Sequence, residues 1–557
     1  MNKPWLDAYP TGVPETIDPD SYPSVVHLIE QVFSEYADRA AFSNLGRTIS
    51  YQELETLSSR FAGWLQNGAK LQPGQRIALM MPNSLQYAVA LVAALRAGLV
   101  VVNVNPLYTP RELKHQLNDS GATCIVIMEN FASVLEQVIA DTPVDRVVLT
   151  AMGDLLPFPK SAVVNLVLRH VKKAVPAFRL PGATTFNQCL KQGDSLPFTR
   201  VPLDGEGLAF LQYTGGTTGV SKGAMLTHRN IVANLLQIRS WLAPVEDDSQ
   251  AIVITALPMY HVYSLVVNCL GFMQSGGHNI LISNPRDVDA FVKEIGQWPF
   301  TFISGVNTLY NALLHHPEFE KLDFSTLKLA SGGGMAMQRA VSEKWMALTG
   351  KPILEGYGLT EASPVVCGNP ITVEAAFSGN VGLPYPSTIV SIRDESGAEV
   401  ATGEPGELWV SGPQVMKGYW GREEATAEVI TEDGWLRTGD IATVDERGFV
   451  KLVDRKKDMI IVSGFNVFPN EIEDVVALCP GVMEAACIGV PDEKAGEAVK
   501  VFAVKEPGAE LDATKLRAFC KEHLTGYKVP RHVEFRDELP KTNVGKILRR
   551  ALREPQP

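Results

Sequence analysis

A chain of 557 residues, 45% hydrophobic and 20% charged, is too long for a single core and too evenly composed to be disordered or fibrous, so two or more globular domains are expected. A net charge of −12 argues against general nucleic-acid binding, although a few lysines inside a cleft still allow an acidic protein to hold a small anion. The seven cysteines, Cys124, Cys189, Cys269, Cys367, Cys479, Cys487 and Cys520, are scattered without a Cys-x-x-Cys pair, which predicts reduced, mostly buried thiols and disfavours a zinc or redox site.

The first residues, "MNKPWLDAYPTGVPE", carry prolines where an export signal needs an apolar run, so a cytoplasmic location is expected. Further on, "YAVALVAALRAGLVVVNVNP" and "AIVITALPMYHVYSLVVNCLGFM" are apolar but interrupted by Arg96 and Gly98, and by Pro258, His261 and Asn268. Neither supplies the ~20 apolar residues of a membrane span. Short β-rich runs ("RIALMMP", "LVVVNVN", "CIVIME", "AIVITALP", "TFISGV") alternate with segments of helical period such as "PRELKHQLNDSG", the pattern of parallel sheets covered by helices.

Between these, "KSAVVNLVLRHVKKAVPAFRLP" reads as a helix with Val164, Val167, Leu168, Val171 and Val175 on one stripe and Arg169, Lys172 and Lys173 beside or opposite it. Its ordinary reading is a surface helix; the alternative is peripheral contact with the inner membrane surface. Next comes "YTGGTTGVSKGAMLTHRN", in which Lys222 follows Ser221 and precedes Gly223. This is not a Walker A loop, which needs Gly-Lys-Ser/Thr. A strand, a Gly/Thr loop and then a helix suits a polyphosphate: glycines admit close backbone approach, Thr214, Thr217, Thr218 and Ser221 supply hydroxyls, and Lys222 a cation. An ordinary glycine-rich turn is the competing reading.

From about Gly379 the texture becomes short strands and turns, "VGLPYPSTIVSIRDESGAEVATGEPGELWVSGP", predicting an antiparallel, barrel-like or meander lobe. The charged run Asp454-Arg455-Lys456-Lys457-Asp458 reads in isolation as a solvated turn, and by its position between two textures as a hinge. A compact α+β stretch follows, with a helix opening near Pro469-Asn470-Glu471.

Taken together, the loop Thr214 to Lys222 and the later "GYGLTEASP", "GELWVSGPQVMKGYW", "DGWLRTGD", "VDRKKDMIIVSGFNVFPNEIE" and "PKTNVGKILRR" resemble, in order, the motifs of the adenylate-forming (AMP-binding) superfamily. "SYQELETLSSRFAGWL", "VVNVNPLYTPREL", "GVNTLYNALL" and "LTGYKVP" extend the likeness to bacterial long-chain fatty acid–CoA ligases nearly end to end. The resemblance implies an α/β fold: a large domain, residues 1–454, of two parallel-type α/β lobes and a β-barrel-like lobe, and a small mobile α+β domain, residues 455–557, hinged near Lys457. It implies activation of a fatty acid by ATP to an acyl-adenylate, then transfer to coenzyme A, with Mg2+ as cofactor.

By the same resemblance, Tyr213, Thr214, Gly215, Gly216, Thr217, Thr218, Gly219, Ser221 and Lys222 hold the ATP phosphates. Glu361 and Thr218 serve Mg2+. Gly332, Gly333, Gly334, Tyr357, Gly358 and Thr360 wall the adenine, Asp440 takes the ribose hydroxyls, and Arg455 lies near ribose and phosphates. His261, Glu361, Thr214 and the mobile Lys546 surround the reacting groups, Lys457 is the hinge, and Gly464 lies in a turn that approaches the pantetheine arm. Two departures stand out: Gly215 where many relatives have Ser or Thr, and Arg437 where long-chain ligases often have His. A medium-chain or aryl acid ligase and a non-catalytic lipid- or nucleotide-binding protein are the alternatives; Lys222, Glu361, Asp440 and Lys546 together disfavour the second. The end soon after Lys546 disfavours a peptide-synthetase module with a following carrier domain. Chain length, pathway and oligomeric state are not legible.

Overall fold

The computed structural model describes residues 3–214, 221–245, 247, 249–372, 375–463, 465–492, 495–542 and 545–553. Two sheets form the main body. One has seven strands in the spatial order Thr184–Thr185, Arg146–Thr150, Cys124–Met128, Arg76–Met80, Val100–Asn103, Leu208–Thr214 and Lys222–Thr227, parallel except for the last. The other has nine, parallel through its centre and antiparallel at both edges. Residues of its strands Phe302–Gly305, Leu329–Gly332 and Ile353–Gly358 line the cleft described below.

Helix Leu85–Arg96 is buried on every side, which is why its sequence reads as a near-membrane span. Its one charge, Arg96, gives a guanidinium nitrogen to the hydroxyls of Ser58 and Ser59 at 2.9 and 2.8 Å. Among the described residues no helix is long and apolar enough to cross a membrane. All seven cysteines are free and buried.

The predicted antiparallel lobe is a four-stranded meander of Ile389–Arg393, Gly406–Ser411, Leu436–Val444 and Val450–Arg455. Its last strand stays paired through Arg455, opposite Asp440. A separate five-stranded sheet begins at Ile460, covered by helices Pro469–Ala477 and Ala513–His523, and forms the body of the small domain. Only residues 456–459 join the two sheets.

The helix expected after the glycine-rich loop is present as His228–Leu242, opened by the Thr227 cap; the sequence reading missed that Lys222–Thr227, between it and the loop, is a strand antiparallel to Leu208–Thr214. The loop joins a hairpin, so no helix N-terminus follows it directly. Likewise the stripe through Val175 does not exist as one face, because the helix begun at Lys160 ends at Val171. Asn165 accepts from the Gly153 amide, and Arg169 grips Glu129 in a fork, fixing one face inward. Phe158, Val163, Leu166 and Val171 are left exposed.

Candidate active site at the domain interface

Every described residue assigned above to the nucleotide, the metal, the reacting groups or the hinge lines one cavity of about 2270 Å³, running from Tyr213 and Lys222 past His261, Glu361 and Asp440 to Lys546. Gly215, Gly216, Thr217, Thr218, Gly219 and Gly464 lie outside the described residues. The cavity opens where the parallel strands of the large body end and the small domain closes over them.

At the hairpin end, Thr214 and Lys222 face each other as the last and first residues of paired strands. The Lys222 ammonium lies 5.0 Å from the Tyr419 ring centroid, and the Tyr419 hydroxyl donates to Glu361 Oε1 at 2.7 Å. One tyrosine thus spaces a cation from a carboxylate that would otherwise collapse onto it. Tyr213 is tethered by its hydroxyl to Asp119 Oδ2 at 2.7 Å, and the other oxygen of Asp119 accepts from Arg422 at 2.6 Å. Asp119, Tyr419 and Arg422 were not identifiable from sequence; Tyr419 lies inside "MKGYW", but nothing in that string says what it touches.

In the middle, Asp440 is held from two sides: Tyr357 donates to Oδ2 at 2.6 Å, and Arg455 Nε lies 3.3 Å from Oδ1. The first contact crosses from the large sheet to the meander, and the second is the cross-strand pair. Gly358 has no room for a side chain, since a Cβ there would sit 2.2 Å from the Pro364 carbonyl oxygen. Glu361 presents one carboxylate, and Tyr419 takes only its Oε1. That suits Mg2+, which keeps several waters and binds through one or two carboxylates plus substrate phosphates.

Lys546 comes from the far end of the small domain. Its turn is seated by Thr308, whose hydroxyl donates to the Gly545 carbonyl at 3.0 Å, and the Lys546 amide donates to Thr542 Oγ1 at 3.1 Å. The lysine stem passes over Gly334, where an added Cβ would stand 3.0 Å from Lys546 Cε. Burial and the Arg455 charge push the Lys546 ammonium down to about 8, while Asp440 and Glu361 pull it back up. His261 is pushed down to about 3 by burial and by Lys546. It is therefore neutral near neutral pH and can accept or donate one hydrogen bond without charge. Lys457 is likewise lowered to about 8, by burial first and then by Arg455.

A second part of the cavity is apolar. Leu329, Ser331 and Gly333 alternate onto one face, with Phe302 opposite Leu329 and Leu354 opposite Ser331. Helix His228–Leu242 contributes Ile238, Trp241 and Leu242. Four residues of strand separate Gly333 from Leu329, a depth of about 13 Å. Trp241 is fixed by its indole N–H to the Asn369 carbonyl at 3.1 Å and by the Tyr385 ring 4.7 Å away.

Comparison with known proteins gives the same picture. Residues 29–420 match the family "AMP-binding enzyme", and residues 471–546 match "AMP-binding enzyme C-terminal domain". The chain is 57% identical over 554 residues to a long-chain-fatty-acid–CoA ligase of Yersinia pestis, covering 100% of this chain and 98% of that one. To the enzyme of the same name from Haemophilus influenzae it is 53% identical over 557 residues, again covering 100% and 98%. Among solved structures, the anthranilate CoA ligase AuaEII in complex with anthranoyl-AMP superposes with a TM-score of 0.85 over 96% of this chain and 98% of that one, at 23% identity. That last likeness bears on the fold alone.

The seating of Lys546 is testable by titration. In spectra of 15N-histidine protein, His261 should remain neutral at about pH 5, and Lys546→Met should move its titration upward, because a nearby cation disfavours the imidazolium. An unmoved His261 would mean that Lys546 is not in the cleft in solution.

Proposed function

The chain belongs to the AMP-binding enzymes, and on that premise we infer that it joins long-chain fatty acids to coenzyme A with ATP, through an acyl-adenylate, releasing AMP and pyrophosphate. The observation that carries this is Lys546, lodged against Gly334 of the large domain in a cleft that both domains line. In the first step a fatty-acid carboxylate oxygen attacks the α-phosphorus while the bond to pyrophosphate breaks. In the second the coenzyme A thiol attacks the acyl carbonyl, and AMP leaves.

Lys222, Thr214 and Ser221 hold the β- and γ-phosphates at the hairpin end, with Arg422 and Asp119 bracing Tyr213 behind them. Glu361 is the residue that would hold Mg2+, which when bound neutralises phosphate charge. Tyr357 and the Gly332 to Gly334 wall bracket the adenine; Asp440, already oriented by Tyr357 and Arg455, accepts from the ribose. Lys546 places its cation between carboxylate and α-phosphate, where negative charge concentrates and pre-placed charge lowers the barrier. Two anions bound beside it favour its charged form. His261, uncharged, orients the carboxylate by a hydrogen bond. The acyl chain runs down the apolar channel past Gly333, where a Cβ would meet the Tyr263 ring at 3.2 Å, toward Phe302, Leu329 and Trp241.

For the second step the small domain, residues 455–557, rotates about Lys457, withdraws Lys546 and presents the Gly464 turn to the thiol's path. The short 456–459 crossing between two self-contained sheets favours such a motion.

A second reading, membrane contact, is favoured by one patch. Phe158, Val163, Leu166 and Val171 are 84%, 56%, 58% and 69% exposed, and Lys160, Lys172 and Lys173 are exposed beside them. Apolar side chains ringed by cations suit an anionic lipid surface, from which a fatty acid would be collected.

Three outcomes follow. Lys546→Ala should lower pyrophosphate exchange with palmitate by about 10²–10³-fold while still converting supplied palmitoyl-adenylate and coenzyme A to thioester; equal loss of both steps in a folded variant contradicts the assigned role. Trp241→Ala should raise kcat/KM for stearate relative to decanoate, and an unchanged ratio removes Trp241 from the acyl channel. Phe158→Glu with Leu166→Glu should abolish most co-sedimentation with phosphatidylglycerol vesicles and leave turnover of micellar palmitate intact; undiminished sedimentation rules out the patch.

A further inference from the structure

The charged run at the domain crossing is a turn with Arg455, Lys456 and Lys457 exposed, as its composition suggests, but its two acids are buried. Asp454 is 3% exposed, and its side chain is wholly enclosed. Carried on strand Val450–Arg455 opposite Ile441, it belongs to the large body. Yet most of its partners belong to the small domain. Arg549 Nη1 donates to Asp454 Oδ1 at 3.2 Å, and the backbone N–H of Asn470, in the first turn of helix Pro469–Ala477, donates to Oδ2 at 2.8 Å. The Asn470 side chain also donates to the Val453 carbonyl at 3.3 Å.

Arg549 is itself locked within the small domain. It forks onto Glu473 at 3.0 and 2.8 Å and also bonds Asn470 Oδ1. Arg553 ties the far side of the crossing by donating to Asp458 at 3.0 Å. Arg549 follows Lys546 closely in one segment, so whatever fixes Arg549 also fixes where Lys546 can reach. Burial pushes the Asp454 carboxyl up, and Arg549 pulls it back. An enclosed carboxylate is tolerable only while such donors remain.

We propose that Asp454, Arg549 and Asn470 form a latch that holds the small domain in the arrangement with Lys546 in the cleft, and that opens when the domain rotates for thioester formation. This rests on the rotation inferred above. The rotation leaves Asp454 on its strand and carries Arg549 and Asn470 away, while the Arg549–Glu473 fork travels intact. Breaking the cross-domain bonds therefore costs the closed arrangement and leaves the small domain's own packing in place. Asp454, Arg549 and Asn470 are positioning residues; they act through Lys546 and the domain angle, not on the substrates. Since ATP and acid need the closed arrangement for adenylation, a weaker latch reduces their apparent affinity by the fraction still closed.

The test compares Asp454→Asn, Asp454→Glu and Arg549→Lys with the parent enzyme and Lys546→Ala. Half-reactions are read by pyrophosphate exchange and by thioester formation from palmitoyl-adenylate. Domain arrangement is read by electron–electron distances between spin labels on Ser325→Cys and Glu522→Cys, both exposed sites, the native cysteines being buried. Asp454→Asn and Arg549→Lys should raise the KM for ATP in exchange about tenfold, leave the thioester step equal or faster, and move the distance distribution toward the second arrangement; Asp454→Glu should recover part of each. Unchanged distances with both half-reactions lowered alike would mean that the cluster is merely structural and overturn the latch. If Lys546→Ala separates the half-reactions and the latch variants do not, rotation stands and the latch falls. If Lys546→Ala does not separate them either, the function reading has failed first. Should Asp454→Asn not fold, Arg549→Lys carries the same comparison, because a single ammonium can stay on Glu473 and cannot also reach Asp454.

Discussion

The arrangement depends on bringing a cation from one domain onto the strand ends of the other, in a cleft that both line. Lys546 reaches the ends of the parallel strands only because Gly334 has no side chain under its stem and because Thr308 seats the Gly545 carbonyl. The cost of enclosing that ammonium is visible in its depression to about 8. Anionic substrates offset that cost when they arrive. An empty cleft therefore holds a lysine poised near its titration point, and a filled one holds a full charge where the reaction needs it.

The same logic organises the rest of the cavity, in which charged groups are either spaced by a tyrosine or held in a fixed pair. Tyr419 separates Lys222 from Glu361, and Tyr357 and Arg455 share Asp440 so that its oxygens point one way. Preset orientations matter because a group that must swing during reaction loses the advantage of being pre-placed. A protein of net charge −12 can bind a polyanion on these terms, since the local field is set by the few cations inside a low-dielectric cleft.

The sequence made most of the fold legible where periodicity and burial coincide. Runs such as Cys124–Met128 are buried at every position, as strands covered on both faces must be. It failed at the hairpin, because Lys-Gly-Ala-Met-Leu-Thr has no strong period and its strand character comes from pairing with Leu208–Thr214. Motif residues came together because their order in the chain is tied to strand ends that converge in space. The residues that only position them did not show: Asp119, Arg422 and Tyr419 act through contacts between segments distant in sequence. The run Asp454 to Asp458 was misleading for the opposite reason, since composition describes average solvation and two of its five charges, Asp454 and Asp458, are themselves buried against arginines.

The hairpin has a consequence for how phosphate is held. Helix N-termini attract anions through aligned backbone N–H groups, but here the nearest helix start, His228, is separated from the loop by a whole strand, and its cap is closed by Thr227 and Asn230. On the proposed reading, the described residues offer phosphate the hydroxyls of Thr214 and Ser221 and the Lys222 cation, with no helix start directly behind them. That makes the orientation of Lys222 more critical than in a loop backed by a helix dipole, and it gives the Tyr419 ring beneath that lysine a physical reason to be there. The segment bearing Tyr419 is itself pinned to the second strand, with Trp420 donating to the Gly223 carbonyl at 2.8 Å and Met225 to that of Gly418 at 2.9 Å. The lysine, the spacer and the carboxylate are thus carried on one continuous piece of backbone hydrogen bonding, so a movement of any one is felt by the other two.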